Sequence, residues 1–275
     1  MGKANFGESS HAKKAMVPDA ARAAVSAARG ISAFTAASAV TAFASIAASW
    51  IIPHYCIICG ERVEKEEGVS LPSLPLCARC GAGLTGISGP RCGVCGRELY
   101  SEREICYGCR GVERSCSEIY PLFKFRDGPA ALMREYKSSK RFSLVPFWAG
   151  LLSDAIDRRW PDRTIVPVPP RPEKIRRREW DQIEAIAAAL EKRGYRVERV
   201  LERKVDLQQK KLNREMRKAN AGKAYSVIPS LASSMPSRII LIDDVYTTGA
   251  TIEACAKALR ENGAESVCAL VVAAD

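Results

Sequence analysis

Apolar and polar positions along the second half of the chain follow two periods, and each switch of period marks an element. Residues 143–160 place Phe147, Leu151, Leu152 and Ile156 at helical spacing, which predicts an amphipathic helix. Residues 163–168 are a short apolar run stopped by Pro169 and Pro170, the pattern of a buried strand. Ile183, Ile186, Ala187 and Leu190 line one face of a second helix over 181–193, and residues 196–201 read as strand. Residues 203–225 are polar and basic, a loop candidate. The apolar run 239–242 predicts the central strand. Ile252, Ala256 and Leu259 predict a helix over 252–262 ending at Gly263, and 266–272 form a last strand. Strands alternating with helices imply an α/β fold with a parallel sheet and right-handed crossovers. Ligands in such sheets bind at the carboxyl ends of the strands.

The first half is patterned differently. Residues 1–29 are basic, alanine-rich and expected to be poorly ordered. Residues 30–53 carry no charge. Their length suffices to span a bilayer, but Ala, Ser and Thr predominate, and these insert weakly. Lys13, Lys14, Arg22 and Arg29 precede the stretch, as in a signal peptide or a cytosol-facing anchor. The preferred reading is a hydrophobic helix packed on the protein or a partner, with membrane contact through 30–53 as the less favoured one. The resulting division is 1–52 extension and helix, 53–116 cysteine module, and 117–275 α/β domain.

With 275 residues, 47% of them hydrophobic, the chain can bury the core of one α/β domain beside a smaller module. Global disorder is excluded. The net charge is +11, and +7 of it lies in residues 171–218, where sixteen Lys/Arg face nine Asp/Glu. Such an excess suits a cationic pocket for a polyanionic small molecule or a nucleic-acid surface. Charge alone leaves both open.

Nine of the eleven cysteines fall between Cys56 and Cys116. Cys56-x-x-Cys59, Cys77-x-x-Cys80, Cys92-x-x-Cys95 and Cys106-x-x-Cys109 are four knuckles whose two-residue spacing turns both thiolates toward one metal. Eight ligands make two tetrahedral Zn²⁺ sites. Sequential pairing is the simplest arrangement, and a cross-braced pairing stays open. A disulfide framework would suit a secreted chain, and an iron–sulfur cluster fits regular knuckles less well than zinc. Few apolar residues separate the knuckles, so metal should supply most of the local folding free energy, and its removal should unfold 56–110 first. Cys116, Cys255 and Cys268 read as small buried hydrophobes.

Chemistry concentrates in residues 239–251, Ile-Ile-Leu-Ile-Asp-Asp-Val-Tyr-Thr-Thr-Gly-Ala-Thr. A buried strand runs into Asp243 and Asp244, and a hydroxyl-rich turn opens a helix. A helix N-terminus presents free amides and a positive dipole end, which hold phosphate. Thr247, Thr248 and Thr251 add hydroxyls, and Gly249 permits close backbone approach. The carboxylates can accept from a sugar diol or hold Mg²⁺ through water.

This stretch resembles the 5-phosphoribosyl-1-pyrophosphate (PRPP) motif of type I phosphoribosyltransferases, and is most similar to the ComF family (ComFC/GntX-type) among them. Three further segments share the resemblance: Tyr120 to Gly128 leading on to Lys137; Val166 to Pro169 with the basic run to Arg178; and Gln209, Leu212, Arg217 and Asn220 in the loop candidate. The double zinc ribbon and a hydrophobic helix before Cys56 match the same family, so the likeness runs from Pro53 to the C-terminus. It implies an α/β, type I phosphoribosyltransferase-like domain. PRPP or a ribose phosphate would bind with Mg²⁺ at Asp243, Asp244, Thr247, Thr248, Gly249, Ala250 and Thr251, with Arg171 and Arg178 on the pyrophosphate. If active, the protein would transfer phosphoribosyl to an acceptor that no motif names. The family also implies a cytoplasmic setting. A second reading is a non-catalytic accessory of competence and DNA uptake, binding single-stranded DNA or a helicase partner. Against DNA, the cysteine module is expected to expose few aromatics for stacking. One departure stands out. Where the family usually reads Arg-Gly-Phe-Asn-Gln, this chain has Arg178-Glu179-Trp180-Asp181-Gln182, adding two negative charges near an anion site. Asp181 can instead cap the following helix, with Trp180 packing.

Elemental analysis of freshly reduced protein should find about two zinc ions per chain, as eight thiolates in two tetrahedral sites require. Iron in their place, or no metal, would refute the reading.

Overall fold

The computed structural model describes residues 55–63, 76–100, 103–204 and 224–275. The predicted N-terminal extension and hydrophobic helix, and residues 205–223 of the loop candidate, lie outside the described residues. Among the described residues no helix is long and apolar enough to cross a membrane.

In chain order the elements are α1 (Ala78–Ala82), β1 (Glu118–Lys124), α2 (Asp127–Ser138), α3 (Val145–Arg159), β2 (Thr164–Pro167), α4 (Pro172–Arg176), α5 (Gln182–Lys192), β3 (Leu201–Arg203), β4 (Tyr225–Val227), β5 (Arg238–Tyr246), α6 (Ala250–Glu261) and β6 (Ser266–Ala274). Four strands form a parallel sheet in the order β1-β6-β5-β2. β5 and β6 are central and covered on both faces, which is why their sequences are continuous apolar runs. Ile239 and Leu241 pack toward Ile252, Cys255 and Leu259 of α6. Ile240 and Ile242 pack toward Leu132 and Met133 of α2, Trp148 and Leu152 of α3, and Ile186 and Leu190 of α5. The protein is thus an α/β domain with a parallel sheet, as predicted. β5 is longer than expected and carries Asp243 and Asp244 within the strand rather than just beyond it.

The predicted strand 196–201 divides. Arg196–Glu198 backbone groups extend the sheet beside β2, with Ile165 N–H donating to Arg196 O at 2.9 Å and Glu198 N–H to Ile165 O at 2.9 Å. The chain then turns away, and Leu201–Arg203 pairs antiparallel with β4. Because Lys204 N–H donates to Ala224 O at 2.9 Å, the two ends of the basic loop meet at this small sheet, whose Tyr225 and Val227 share the core of α6.

The opposite edge of the sheet is closed by the cysteine module. Ile119 N–H donates to Val94 O at 2.9 Å and Ile87 N–H to Leu122 O at 3.4 Å. The Arg91 guanidinium donates to Pro121 O at 2.7 Å. Pro121 has no amide to leave unpaired, which suits an edge strand. Arg91 also stacks on Tyr120 at 4.2 Å, and Lys124 pairs with Glu98. An open strand edge invites pairing with other chains, and this cover removes it. The two halves of the module repeat one turn: Gly60 N–H reaches Cys56 O at 2.8 Å, and Gly96 N–H reaches Cys92 O at 2.9 Å. The second half belongs to the main core, because Cys92, Cys95, Leu99 and Cys109 are buried in the α6-side cluster. Among the described residues the first half meets the other face through half-buried Ile57, Ile58, Leu76 and Leu84. The two halves of the module are thus packed differently against the α/β domain.

Gly96 tests this docking. Its φ is +66°, and a Cβ there would run into the Ile119 carbonyl on β1. Gly96→Ala should destabilise the protein by roughly 1–3 kcal/mol, the scale of backbone strain at one residue. Denaturant unfolding reads this directly, and an unchanged midpoint would disprove the contact.

Candidate functional site

Two cysteine tetrads are assembled. Cys56, Cys59, Cys77 and Cys80 form one, and Cys92, Cys95, Cys106 and Cys109 the other, with the sulfurs of each within 4.8 Å of one another. The pairing is sequential. Cys59 Sγ lies 3.6 Å from Cys77 Sγ, and Cys95 Sγ lies 3.7 Å from Cys106 Sγ. A tetrahedron with Zn–S bonds of about 2.3 Å has S···S edges of about 3.8 Å, so both tetrads fit Zn²⁺. Amides point at the sulfurs: Cys80 N–H at Cys77 Sγ (3.5 Å) and Cys106 N–H at Cys92 Sγ (3.4 Å). Burial acts upward on Cys56 and Cys92, yet the surrounding amides outweigh it and hold both thiols down at about 6. Cys80 and Cys95 are pushed up, by burial first and by the neighbouring thiols next. A divalent cation resolves that conflict by stabilising every thiolate at once. Cys116, Cys255 and Cys268 are buried packing residues, as predicted.

The second constellation lies at the carboxyl ends of β5 and β2. Side chains alternate across a sheet, and the two acids differ accordingly. Asp244 meets Lys137 of α2 at 2.8 Å and the amide nitrogen of Gln182 on α5 at 2.7 Å. Its other oxygen accepts from Val245 N–H at 2.6 Å. Gln182 is held in turn by Lys174, which donates to its oxygen at 3.1 Å and pairs with Asp181 at 3.2 Å. Tyr136 O–H donates to Gln182 O at 2.6 Å. Asp243 has one bond among the described residues, from Asp244 N–H at 2.8 Å. Enclosure first, and the charge of Asp244 second, push its carboxyl up to about 7. Its charge also reaches buried Cys255 on α6, whose thiol is raised chiefly by burial.

Lys137, Lys174 and Gln182 were not among the predicted site residues. Lys137 sits one residue after buried Tyr136 and four after buried Met133. A lysine on the inward face of a helix must find a counter-charge, and that was the legible signal. Gln182 had a signal too, since it keeps the glutamine of the Arg-Gly-Phe-Asn-Gln pattern while its neighbours depart from it.

After β5, Thr247 and Thr248 are exposed, Gly249 is buried, Ala250 is exposed and Thr251 is half-buried. Gly249 caps α6 in the left-handed region at φ 79°, where a Cβ would lie 2.6 Å from the Tyr246 ring. Having no side chain, it places no cap over the first-turn amides of α6, of which Ala250 N–H meets the Thr248 hydroxyl oxygen at 3.4 Å. Arg171 is exposed in the chain leaving β2, beside β5 because Val168 N–H donates to Ile242 O at 3.1 Å. Arg178 is exposed past α4 with φ 51°. Neither bonds Asp243 or Asp244. The two added acids have local partners: Asp181 caps α5, accepting from Ile183 N–H (3.0 Å) and Glu184 N–H (3.1 Å), while exposed Glu179 lies 3.6 Å from Arg177. Trp180 packs edge-on against Tyr136 and Phe142. Among the described residues the cysteine module exposes three aromatics, Tyr55, Tyr100 (85%) and Tyr107 (90%).

Comparison with known proteins agrees with this architecture. The family model of the double zinc ribbon domain matches residues 47–110. Competence protein ComFC of Streptococcus pneumoniae is 25% identical over 223 residues, covering 77% of this chain and 96% of that one. Competence protein F of Haemophilus influenzae is 28% identical over 206 residues, 70% of this chain and 87% of its own. ComFC of Bacillus subtilis is 25% identical over 221 residues, 76% and 89% respectively. The alignments extend well beyond the ribbon into the α/β domain.

Asp243 yields a pH test. Its folded pKa of about 7 stands above its ordinary 3.8, so the folded state holds the proton more tightly than the unfolded chain. The stability this contributes is complete below about pH 4 and is lost as pH rises through 7. Asp243→Asn should therefore raise ligand-free stability at pH 8 by about 1 kcal/mol or more, and hardly at about pH 3.5, below both values. Thermal unfolding at the two pH values measures it; equal gains at both would contradict the assignment.

Proposed function

We propose that this chain, a ComF-family protein with a double zinc ribbon, binds PRPP or a ribose phosphate with Mg²⁺ at the carboxyl end of β5. One observation carries the reading: a glycine-capped helix start follows, after Thr247 and Thr248, a central strand that bears two carboxylates near its carboxyl end. The first-turn amides of α6 and the hydroxyls of Thr247, Thr248 and Thr251 would hold the 5-phosphate. Asp243, with a free oxygen among the described residues, would face the ribose hydroxyls and the hydrated cation. Asp244, fixed by Lys137 and Gln182, would hold that edge in shape. Arg171, at the end of β2, is placed to meet the pyrophosphate, with Arg178 further along the same chain segment. Mg²⁺ would neutralise the leaving pyrophosphate. Transfer to an acceptor would rest on positioning and charge rather than on a covalent enzyme intermediate. The relatives' names place such proteins in competence. Reduced thiols and a PRPP-type site suit the cytoplasm.

Titration calorimetry with PRPP and with ribose 5-phosphate, with and without Mg²⁺, tests this. Thr248 is exposed, so Thr248→Val should leave the fold intact. The loss of one hydrogen bond to a charged group should weaken both ligands about 10- to 150-fold, with or without metal. Asp243→Asn should weaken binding only when Mg²⁺ is present. Affinities equal to the parent's would leave the fold without the site.

A second reading, single-stranded DNA binding with a helicase partner, is favoured by exposed Tyr100 and Tyr107 on a basic protein. Each stacked base is worth about 1–3 kcal/mol. Replacing both tyrosines by alanine should weaken oligonucleotide binding at low and moderate salt alike. A parent with no affinity for single strands at low salt would end this reading.

A further inference from the structure

The second cysteine tetrad is built into the wall of the loop that opens α6, and the first is not. Arg97, two residues after Cys95, donates to the carbonyl of Thr247. The same guanidinium lies over the Tyr246 ring, 5.0 Å from its centre. Arg114 bonds Cys109 Sγ at 3.6 Å, and the next residue, Ser115, donates its amide to Glu253 in the first turn of α6 at 2.6 Å. Cys92, Cys95 and Cys109 share one buried cluster with Tyr246 and Ile252. Among the described residues the first tetrad has no such link. Cys59 is exposed, Arg79 between its last two ligands pairs with exposed Glu61, and its few apolar contacts lie on the opposite face of the sheet.

The geometry of a peptide gives the Arg97 bond a consequence. In a planar trans peptide the C=O and the following N–H point in opposite directions. Drawing the Thr247 carbonyl toward the ribbon aims the Thr248 N–H away from it, toward the side on which a ligand would sit. The Tyr246 ring, clamped by the same arginine, packs where a Gly249 side chain would be and so holds that residue in its left-handed turn. The interface also carries a cost. Arg97 Nε, Arg114 Nε and Glu253 Oε2 are buried without partners among the described residues, and each such atom weakens the contact. A joint of this kind keeps its shape only while something else holds the ribbon rigid. The metal centre is that support, since the knuckle holding Arg97 closes through Cys92 N–H to Arg97 O at 2.8 Å.

We infer that the second zinc centre, acting through Arg97, is a latch that holds residues 247–251 in their phosphate-binding form, so that metal in this tetrad, and not in the first, gates ligand binding. This rests on the phosphate site proposed above. Arg97 is thus a positioning residue.

Amide hydrogen exchange of residues 246–252 in the full chain tests the latch without ligand, alongside zinc content and ribose 5-phosphate titration. Arg97→Gln should retain about two zinc ions. Its loop amides should exchange about tenfold faster or more, and ribose 5-phosphate should bind about tenfold more weakly or worse, as expected for one lost charged hydrogen bond. Arg97→Lys, which can still donate to the carbonyl, should recover part of both. Cys106→Ser should lose the second zinc and reproduce the fast exchange. Cys59→Ser should lose the first zinc and leave the loop as in the parent. The latch is overturned if Arg97→Gln exchanges at the parent's rate, or if Cys59→Ser loosens the loop as much as Cys106→Ser. Should the parent bind no ribose phosphate, the proposed function falls, while the exchange rates still decide the latch.

Discussion

A strand buried on both faces can bear charge only where it leaves the core, and β5 bears two carboxylates there. The polar groups at that end of the sheet are arranged around that constraint. Ile239 to Ile242 are wholly enclosed, so the sheet tolerates no charge along its middle. At the carboxyl end the cover thins, and the acids must find partners or retain a proton. Asp244 takes the first course through Lys137 and Gln182. Asp243 takes the second, its carboxyl held up by enclosure and by the charge of Asp244.

The network behind Asp244 explains how an acid at position 181 is accommodated. It adds negative charge close to the carboxylates of β5. Here it caps α5 and binds Lys174, which also holds Gln182. The charge is thereby turned to the helix start and the lysine. Glu179 projects outward beside Arg177, where solvent screening leaves it little influence.

The zinc ribbons serve the sheet as well as themselves. The second ribbon satisfies the outer groups of β1 and contributes three cysteines to the main core. A metal site usually treated as a separate staple is here part of the domain's edge. The first ribbon repeats the same turn without those contacts, so two copies of one motif have different structural duties. The difference lies in the chain downstream of each ribbon. The second runs directly into β1, while the first is joined onward through α1 and the strap at 83–90.

Local chemistry was legible from the chain alone. Cysteine spacing showed two metal sites because ligand geometry is set within four residues. The periods of apolar residues showed the helices and the parallel sheet because burial imposes them directly. Adjacent acids before a Thr-Thr-Gly turn showed where a phosphate could sit. What the sequence left open depended on distant residues meeting. The sequential pairing of knuckles, the split of residues 196–203 between two sheets, and the capture of Asp244 by Lys137 each join segments far apart in the chain. The same holds for Arg97 and Thr247, 150 positions apart. Apart from the inward position of Lys137, such contacts leave no trace in the local pattern of either segment. Only the packing of the ribbon against β1 and α6 decides that they touch.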